Sequence, residues 1–421
     1  MAADKQAGAG YVYILATLDT KGHEAAYVRD LLVELGVRAR LVDVGCLGTP
    51  SVTADVDREQ LFAAGGFDVA RLAADADRGL AVSAAAQSAA AWMSRAHAAS
   101  QVAGVLALGG SAGTTIGAAA MRVLPLEVPK LMVSTLASGQ VRHYVGDKNI
   151  LMLNSVVDIS GLNRITRHVL GDAARAMAGM VLSPRERPDS ADRPLIAATM
   201  FGVTTPCVEQ ARTVLERAGY EVIVFHATGS GGQAMESLVR DGLIAGVLDI
   251  TTTELADELV GGVLSAGPER LSAAAECGVP QLVSLGATDM VNFHSPASVP
   301  KRFRGRTFYH HNPNVTLMRT TAKESARIGA DMGQKLSRAS GPVAVLAPMR
   351  GVSAIDRTGQ PFDDPEARHA LVESLRSAAP NVEVREMDCH INDPEFAIAA
   401  ANRLLELMKT AKSPEKREGS H

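Results

Sequence analysis

From Tyr11 to Gly45 the chain passes from a short apolar run, YVYILA, through a polar loop, TLDTKGHE, into an amphipathic stretch and a second apolar run. Val28, Leu31, Leu32 and Leu35 share one helical face, and Gly36 stands where a helix C-cap falls. The pattern predicts strand, loop, helix, turn, strand. The plan recurs from Pro194, in PLIAATMFGVTTPCVEQARTVLERAGYEVIVFHATG. Further counterparts follow in order. VAGVLALGGSAGTT (102–115) answers to IAGVLDITTTELAD (244–257), and VPKLMVSTLASG (128–139) to VPQLVSLGATDM (279–290). NRITRHVLGDAARAMAGM (163–180) answers to LMRTTAKESARIGADMGQKL (317–336). Four elements repeated in order point to a duplicated unit.

Val, Ile and Leu runs alternating with helices imply mostly parallel strands buried on both faces. The expected fold is therefore α/β: two tandem, internally similar Rossmann-like or flavodoxin-like domains. The boundary falls in the Pro- and charge-rich stretch SPRERPDSADRP (183–194). This gives a domain over 1–183, a second over 194–408, and a polar, disordered tail over 409–421. The second half adds strands in PVAVLAPM and VEVREMD and a last helix in PEFAIAAANRLLELMK, with a long loop (350–367) between the strands.

Composition narrows the function classes. The chain has 421 residues, 47% hydrophobic and 21% charged, with a formal net charge of -4. At about 150 residues per domain this suits two or three domains. The absence of a basic excess argues against nucleic-acid binding, and 4% aromatics offer little for base stacking. Cys46, Cys207, Cys277 and Cys389 have no CxxC spacing, which disfavours a disulfide framework or structural zinc. The N-terminal MAADKQAGAG has no apolar core of a signal peptide, and no apolar run approaches the roughly 18 residues of a membrane span. A soluble, cytoplasmic protein is expected.

Ligands of open α/β sheets bind beyond the carboxyl ends of the strands, so the loops there hold the candidate chemistry. Thr17, Asp19, Thr20 and Lys21 follow the first strand and open a helix, which suits a phosphate or metal-phosphate group. Asp19 or Thr20 as a simple N-cap is the competing reading. Gly109, Gly110, Ser111, Gly113 and Thr114 form a glycine-rich strand-to-helix turn. It matches neither GxxxxGK[ST] nor GxGxxG. It does match G-x-S-x-G, which would make Ser111 a hydrolase nucleophile, but phosphate binding is favoured because the repeat conflicts with a hydrolase sheet. In the second half, His226, Thr228, Gly229, Ser230, Gly231 and Gly232 read as an anion nest with a possible acid/base histidine, or a structural one. Thr252 stands in a Thr-rich run, TTTE, that also resembles a capping box. Arg319 and Arg350 begin later polar clusters. Asp388, His390 and Asp393 could hold a divalent metal, but their spacing is not diagnostic.

Several of these segments together resemble the Tm-1-like (UPF0261) family: ATLDTKG, LGGSAGT, FHATGSGG, TTTELADEL, LMRTT and RGVSAIDRTGQPFDDPEA. The likeness covers about residues 11–408. It implies two α/β subdomains, a homodimer, and ATP with Mg²⁺ in the N-terminal subdomain. It implies a nucleotide site at Thr17, Asp19, Thr20, Lys21, Gly109, Gly110, Ser111, Gly113 and Thr114, and adds Thr135 and Asp147 at later strand ends. Longer members carry a C-terminal TIM-barrel domain, which this chain is expected to lack. The plant member's corresponding region binds a viral replication protein. The resemblance supplies no reaction.

The expected function is an ATP-dependent enzyme, a ligase or a phosphoryl or adenylyl transferase, that activates a small anionic carboxylate metabolite at the cleft between the domains. Lys21, His226 and Arg350 would be catalytic. His226, Thr228, Gly229, Ser230, Gly231, Gly232, Thr252, Arg319 and Arg350 would hold the substrate. The alternatives are a non-catalytic nucleotide-binding regulatory or interaction module, and a hydrolase using Ser111. No dedicated metal ligands are assigned.

Overall fold

The computed structural model describes residues 10–75, 77–183 and 192–412. They fall into two compact units that divide within the 183–194 stretch.

The first unit runs β1 (Tyr11–Ala16), α1 (Leu18–Glu34), β2 (Ala39–Asp43), α2 (Arg58–Ala64), α3 (Val69–Asp75), α4 (Arg78–Ala98), β3 (Val102–Gly109), α5 (Ser111–Arg122), β4 (Lys130–Ser134), α6 (Arg142–Val145), β5 (Leu151–Asn154) and α7 (Arg164–Leu182). The five strands form one parallel sheet in the order β2-β1-β3-β4-β5. Alternate residues of β1 feed opposite cores. Tyr13 and Leu15 pack with α4 and α5, while Val12 and Ile14 pack with α1 and α7. Burial on both faces is why these strands read as unbroken apolar runs. Gly36, with φ +84°, closes α1 as expected.

The second unit runs β6 (Leu195–Met200), α8 (Thr205–Arg217), β7 (Glu221–His226), α9 (Ser230–Arg240), β8 (Gly246–Thr251), α10 (Thr253–Val260), α11 (Ala273–Cys277), β9 (Gln281–Gly286), β10 (Met290–Phe293), β11 (Phe308–Asn312), β12 (Val315–Arg319), α12 (Ala322–Leu336), β13 (Val343–Pro348), α13 (Pro365–Ala378), β14 (Glu383–Met387) and α14 (Pro394–Lys412). Its main sheet is parallel, in the order β14-β13-β9-β8-β6-β7. Renumbered within the unit, this is 2-1-3-4-5-6, the first unit's topology with one strand added. The duplication seen in the sequence is thus a duplication of topology, and the flavodoxin-like strand order accompanies it. The fifth position is filled differently: β5 precedes α7, whereas β13 follows α12.

One element escapes the sequence pattern and one boundary moves. A separate antiparallel sheet, β10-β12-β11, is inserted after β9. Its strands span four or five residues, and β11 is largely exposed, so the apolar pattern that flagged the parallel strands is missing. Residues 409–412 belong to α14; the rest of the expected tail, and residues 184–191 of the expected linker, lie outside the described residues.

Candidate functional site

In the first unit the chain leaves β1 and β3 towards opposite faces of the sheet. The loops after these adjacent strands meet at the topological switch point. They line a cavity of about 450 Å³ together with the loop after β2 and the start of α4. The lining includes Thr17, Asp19, Thr20, Lys21, Gly109, Gly110, Ser111 and Gly113. Eight residues read from two distant loops therefore share one cavity.

The first loop is held from below. Buried Asp43, at the end of β2, accepts the Leu18 N–H at 3.1 Å and the Gly45 N–H at 3.0 Å, and pairs with Arg58 at 2.7 Å. Asp19 accepts the Gly48 N–H through Oδ2 at 3.2 Å, while its Oδ1 is buried without a partner. The Thr17 and Thr20 hydroxyls bond each other at 2.8 Å. Lys21 breaks the helical path, with φ −129° and ψ 16°, lines the cavity, and has no ion pair among the described residues.

The second loop depends on absent side chains. A Cβ on Gly109 would lie 2.9 Å from Gly113 Cα, and one on Gly117 would lie 2.5 Å from Ala107 Cβ. These glycines let α5 press against β3. Gly110 differs: a Cβ there would meet only the Thr135 hydroxyl, at 3.7 Å. Gly110 is also the N-cap of α5 and supplies no side-chain cap. The first N–H groups of a helix have no partner within the helix, and the helix dipole adds partial positive charge there. Thr114 is turned inward instead: its hydroxyl donates to the Gly110 carbonyl and bonds Ser134 at 2.7 Å. Thr135 donates its backbone N–H to the Gly109 carbonyl at 3.4 Å and is not among the residues that line the cavity. Asp147 is exposed in the turn between α6 and β5, not at a strand end, and does not line the cavity.

Sequence reading missed the rest of the lining. Val44, Cys46 and Leu47 follow β2, and Asp158 lies after β5, so the strand-end rule could have found them. Arg78, Ala81, Val82 and Ala85 come from the first turns of α4, which no local motif marks. Val44, Ala81, Val82, Ala85 and Ile116 give the cavity an apolar wall, while Lys21 and Arg78 supply cations. Burial pushes the Cys46 thiol up, against the pull of nearby Arg58, so it stays neutral. No histidine lines the cavity, and Ser111, exposed in the first turn of α5, has no hydrogen bond to an acid or base there.

The second unit's glycine-rich loop is already engaged. Glu254 accepts the Gly229 N–H at 2.7 Å and the Gly232 N–H at 3.1 Å. Its other oxygen binds Arg270 at 2.6 Å. Arg270 is fully buried, grips Asp249 with two bonds at 2.6 and 2.7 Å, and reaches Glu236 at 3.3 Å. The TTTE run is thus no capping box: Glu254 leaves its own helix to fill the nest. Gly231 is locked as well, since a Cβ there would collide with the His226 carbonyl.

The remaining substrate candidates have other tasks. His226 is exposed, bonded through Nδ1 to the Met200 carbonyl at 3.1 Å and stacked on Phe201. The Thr228 hydroxyl donates to the His226 carbonyl, and Ser230 is exposed at the start of α9. Thr252 is buried and donates to the Ser284 carbonyl at 2.9 Å. Arg319 is buried, donating to Thr320 and to the carbonyls of Phe362 and Asp289, so it pins the 350–367 loop. Arg350 forms an exposed two-bond pair with Asp388. His390 bonds the Ser353 carbonyl and the Asn392 N–H, and Asp393 accepts the His390 N–H. Among the described residues, no three His, Cys, Asp or Glu side chains are grouped to hold a metal. No helix among them is long and apolar enough to cross a membrane.

Comparison with known proteins places both halves in one family. Residues 10–186 match the N-terminal domain, and residues 193–408 the C-terminal domain, of the uncharacterised protein family UPF0261. A UPF0261 protein of Clostridium tetani is 47% identical over 401 residues, covering 94% of this chain and 99% of that one. The tomato (Solanum lycopersicum) ToMV resistance protein Tm-1(GCR237) is 44% identical over 337 residues, which span 78% of this chain but 45% of the tomato protein. Among solved structures, a putative UDP-N-acetylglucosamine 2-epimerase from Listeria monocytogenes is matched over 98% of this chain and 99% of its own, at 11% identity and a TM-score of 0.22. That likeness is too low to carry an argument.

Proposed function

This chain belongs to the UPF0261 family, and we propose that its first unit binds ATP with Mg²⁺. One observation carries the reading: the uncapped N-terminus of α5 and Lys21, which has no ion pair among the described residues, line the same cavity at the β1/β3 switch point. Backbone N–H groups with a helix dipole favour phosphate, and a lysine adds a point charge. The apolar wall from Val44 to Ala85 suits a base, and the volume lies within the range of small-ligand sites.

The donor set fits the metal. Mg²⁺ usually takes one or two carboxylates plus phosphate oxygens and waters, and the partnerless Asp19 Oδ1 is such a carboxylate. Asp19 and phosphate would hold Mg²⁺, which neutralises phosphate charge when bound. Lys21, Arg78 and the α5 amides would orient the phosphates and stabilise negative charge developing on them.

An enzyme that activates a small carboxylate metabolite also needs an open site for it. The loop from His226 to Gly232 was the candidate, and Glu254 fills its nest. This favours the second reading, a nucleotide-binding regulatory module, over a ligase or a phosphoryl or adenylyl transferase. A Ser111 hydrolase would need a base bonded to the serine, and Ser111 has no such hydrogen bond and no histidine near it among the described residues that line the cavity. The homodimer stays part of the proposal on the family resemblance.

Calorimetric titration with ATP, with and without Mg²⁺, tests the site. Lys21→Ala should weaken binding by about tenfold or more, the usual worth of a charge-assisted hydrogen bond. Equal affinity in the variant would refute the site. Assays for ADP and AMP on the same samples separate the two readings. Turnover stimulated by a carboxylic acid would restore the enzyme, and turnover at the buffer rate would leave the regulatory module.

A further inference from the structure

We infer that the groove beside the antiparallel sheet of the second unit binds a small carboxylate carried on an apolar body. The groove measures about 280 Å³ and lies between the 296–304 segment and the β11–β12 hairpin. Its floor includes Val299, Phe303 and Phe308, whose side chains pack at the edge of the core shared with α12. Thr316 also lines it, on the central strand β12, paired across the sheet with Phe293 and His310. Its side chain is fully buried, and its hydroxyl has no hydrogen-bond partner. Buried hydroxyls are nearly always bonded, so this orphan donor implies a missing acceptor.

The rim fixes the charge of that acceptor. Lys301 and Arg304 are exposed and line the groove, and neither has an ion-pair partner among the described residues. The neighbouring cations are occupied: Arg306 pairs with Glu324 at 2.6 Å, and Arg302 donates to the Val260 carbonyl while lying over the Phe303 ring. No acidic residue lines the groove. Two free cations and a buried hydroxyl call for an anion, and the apolar floor calls for an attached hydrocarbon or ring. A bare phosphate would leave that floor uncovered. The site stands apart from the nucleotide reading, since all its residues belong to the second unit.

Titration of the full chain with benzoate, against benzamide as the neutral isostere, tests the assignment by calorimetry. Benzoate should bind saturably at millimolar concentration, and benzamide about tenfold more weakly or not at all. Arg304→Gln, at an exposed position that leaves folding intact, should lower benzoate affinity several-fold. Thr316→Val, which removes the hydroxyl at constant shape, should do the same. Equal binding of benzoate and benzamide, no saturation, or unchanged affinity in Arg304→Gln would overturn the proposal.

Discussion

Glu254 Oε1 accepts the backbone N–H of Gly229 at 2.7 Å, joining residues 25 positions apart. A protein carboxylate thus sits in a backbone nest of the kind that elsewhere receives a ligand's anion. Its second oxygen is tied to Arg270, which also holds Asp249, so loop, helix and sheet meet at one buried ion network. Without the Glu254 carboxylate, Asp249 and Glu236 still neutralise Arg270, but the Arg270 Nε–H and two glycine N–H groups lose their acceptor, which at about 1 kcal/mol or more per buried donor costs about 3 kcal/mol or more. Glu254→Ala should therefore destabilise the second unit by about that much, and Glu254→Gln by less, since an amide oxygen still accepts both glycine N–H groups. Urea unfolding of the three proteins measures the difference. Loss of 0.5 kcal/mol or less in Glu254→Ala, about what a surface change costs, would show that the network carries no load.

The two kinds of glycine in the Ser111 loop should separate stability from binding. Gly117→Ala forces a Cβ to within 2.5 Å of Ala107, and overpacking of this kind costs about 1–3 kcal/mol. Gly110→Ala meets no atom closer than 3.7 Å and keeps φ at −82°, which alanine adopts freely. Its new methyl is added at the N-cap of α5, on a residue that lines the cavity. Thermal melts should show a lowered midpoint for Gly117→Ala and little change for Gly110→Ala. ATP titration should show weakened binding chiefly for Gly110→Ala. The reverse ranking would mean that Gly110 serves packing and not a ligand.

What could be read in the sequence was local. The loops after β1 and β3 announce themselves because glycine, threonine, aspartate and lysine between an apolar run and a helix are set by neighbours in the chain. The duplication was legible for the same reason, since each βα step is a local pattern. Arg270 was not legible: in SAGPERL it reads as a solvated charge, and its burial comes from carboxylates 16, 21 and 34 residues away. Glu254 misled because Thr followed by Glu is the local signature of a helix cap, and the long-range pair wins over it. Arg319 misled likewise, its donors being drawn to Phe362, 43 residues on. The α4 side of the nucleotide cavity stayed hidden because Ala81, Val82 and Ala85 are helix residues with no local chemistry.

Asp19 offers a test specific to the metal. Its Oδ2 holds Gly48, and its Oδ1 is the buried orphan. Asp19→Asn keeps an oxygen for the Gly48 N–H and removes the negative charge. ATP affinity measured without Mg²⁺ should hold or rise slightly, because a carboxylate near the phosphates is gone. The gain in affinity on adding Mg²⁺ should shrink towards none. An unchanged Mg²⁺ effect would move the metal away from Asp19.

Asp257 should make the second unit less stable as pH rises. It is buried against Asn292, whose backbone and side-chain N–H groups donate to its two oxygens at 2.6 and 2.7 Å. Burial outweighs these bonds and lifts the carboxyl to about 7, with nearby Glu254 adding to the rise. Below the ordinary value of 3.8, folded and unfolded chains both hold the proton. Between there and about 7 the unfolded chain releases it and the folded chain keeps it, so the group's contribution to stability falls with pH and levels off above about 7. Asp289 acts in the same direction, lifted to about 7 by burial and by nearby Asp356 against the pull of Arg319. Turning over the Asn292 amide would bring its oxygen, otherwise partnerless, to accept the proton of neutral Asp257. Asp257→Asn removes this titration at nearly constant shape. Unfolding free energies at about pH 5 and about pH 8 should drop more in the wild type than in the variant, with Asp289 leaving a residual slope in both. Parallel profiles would place the Asp257 proton equilibrium at its ordinary value, and would require the pocket around Asn292 to be wetter than its burial indicates.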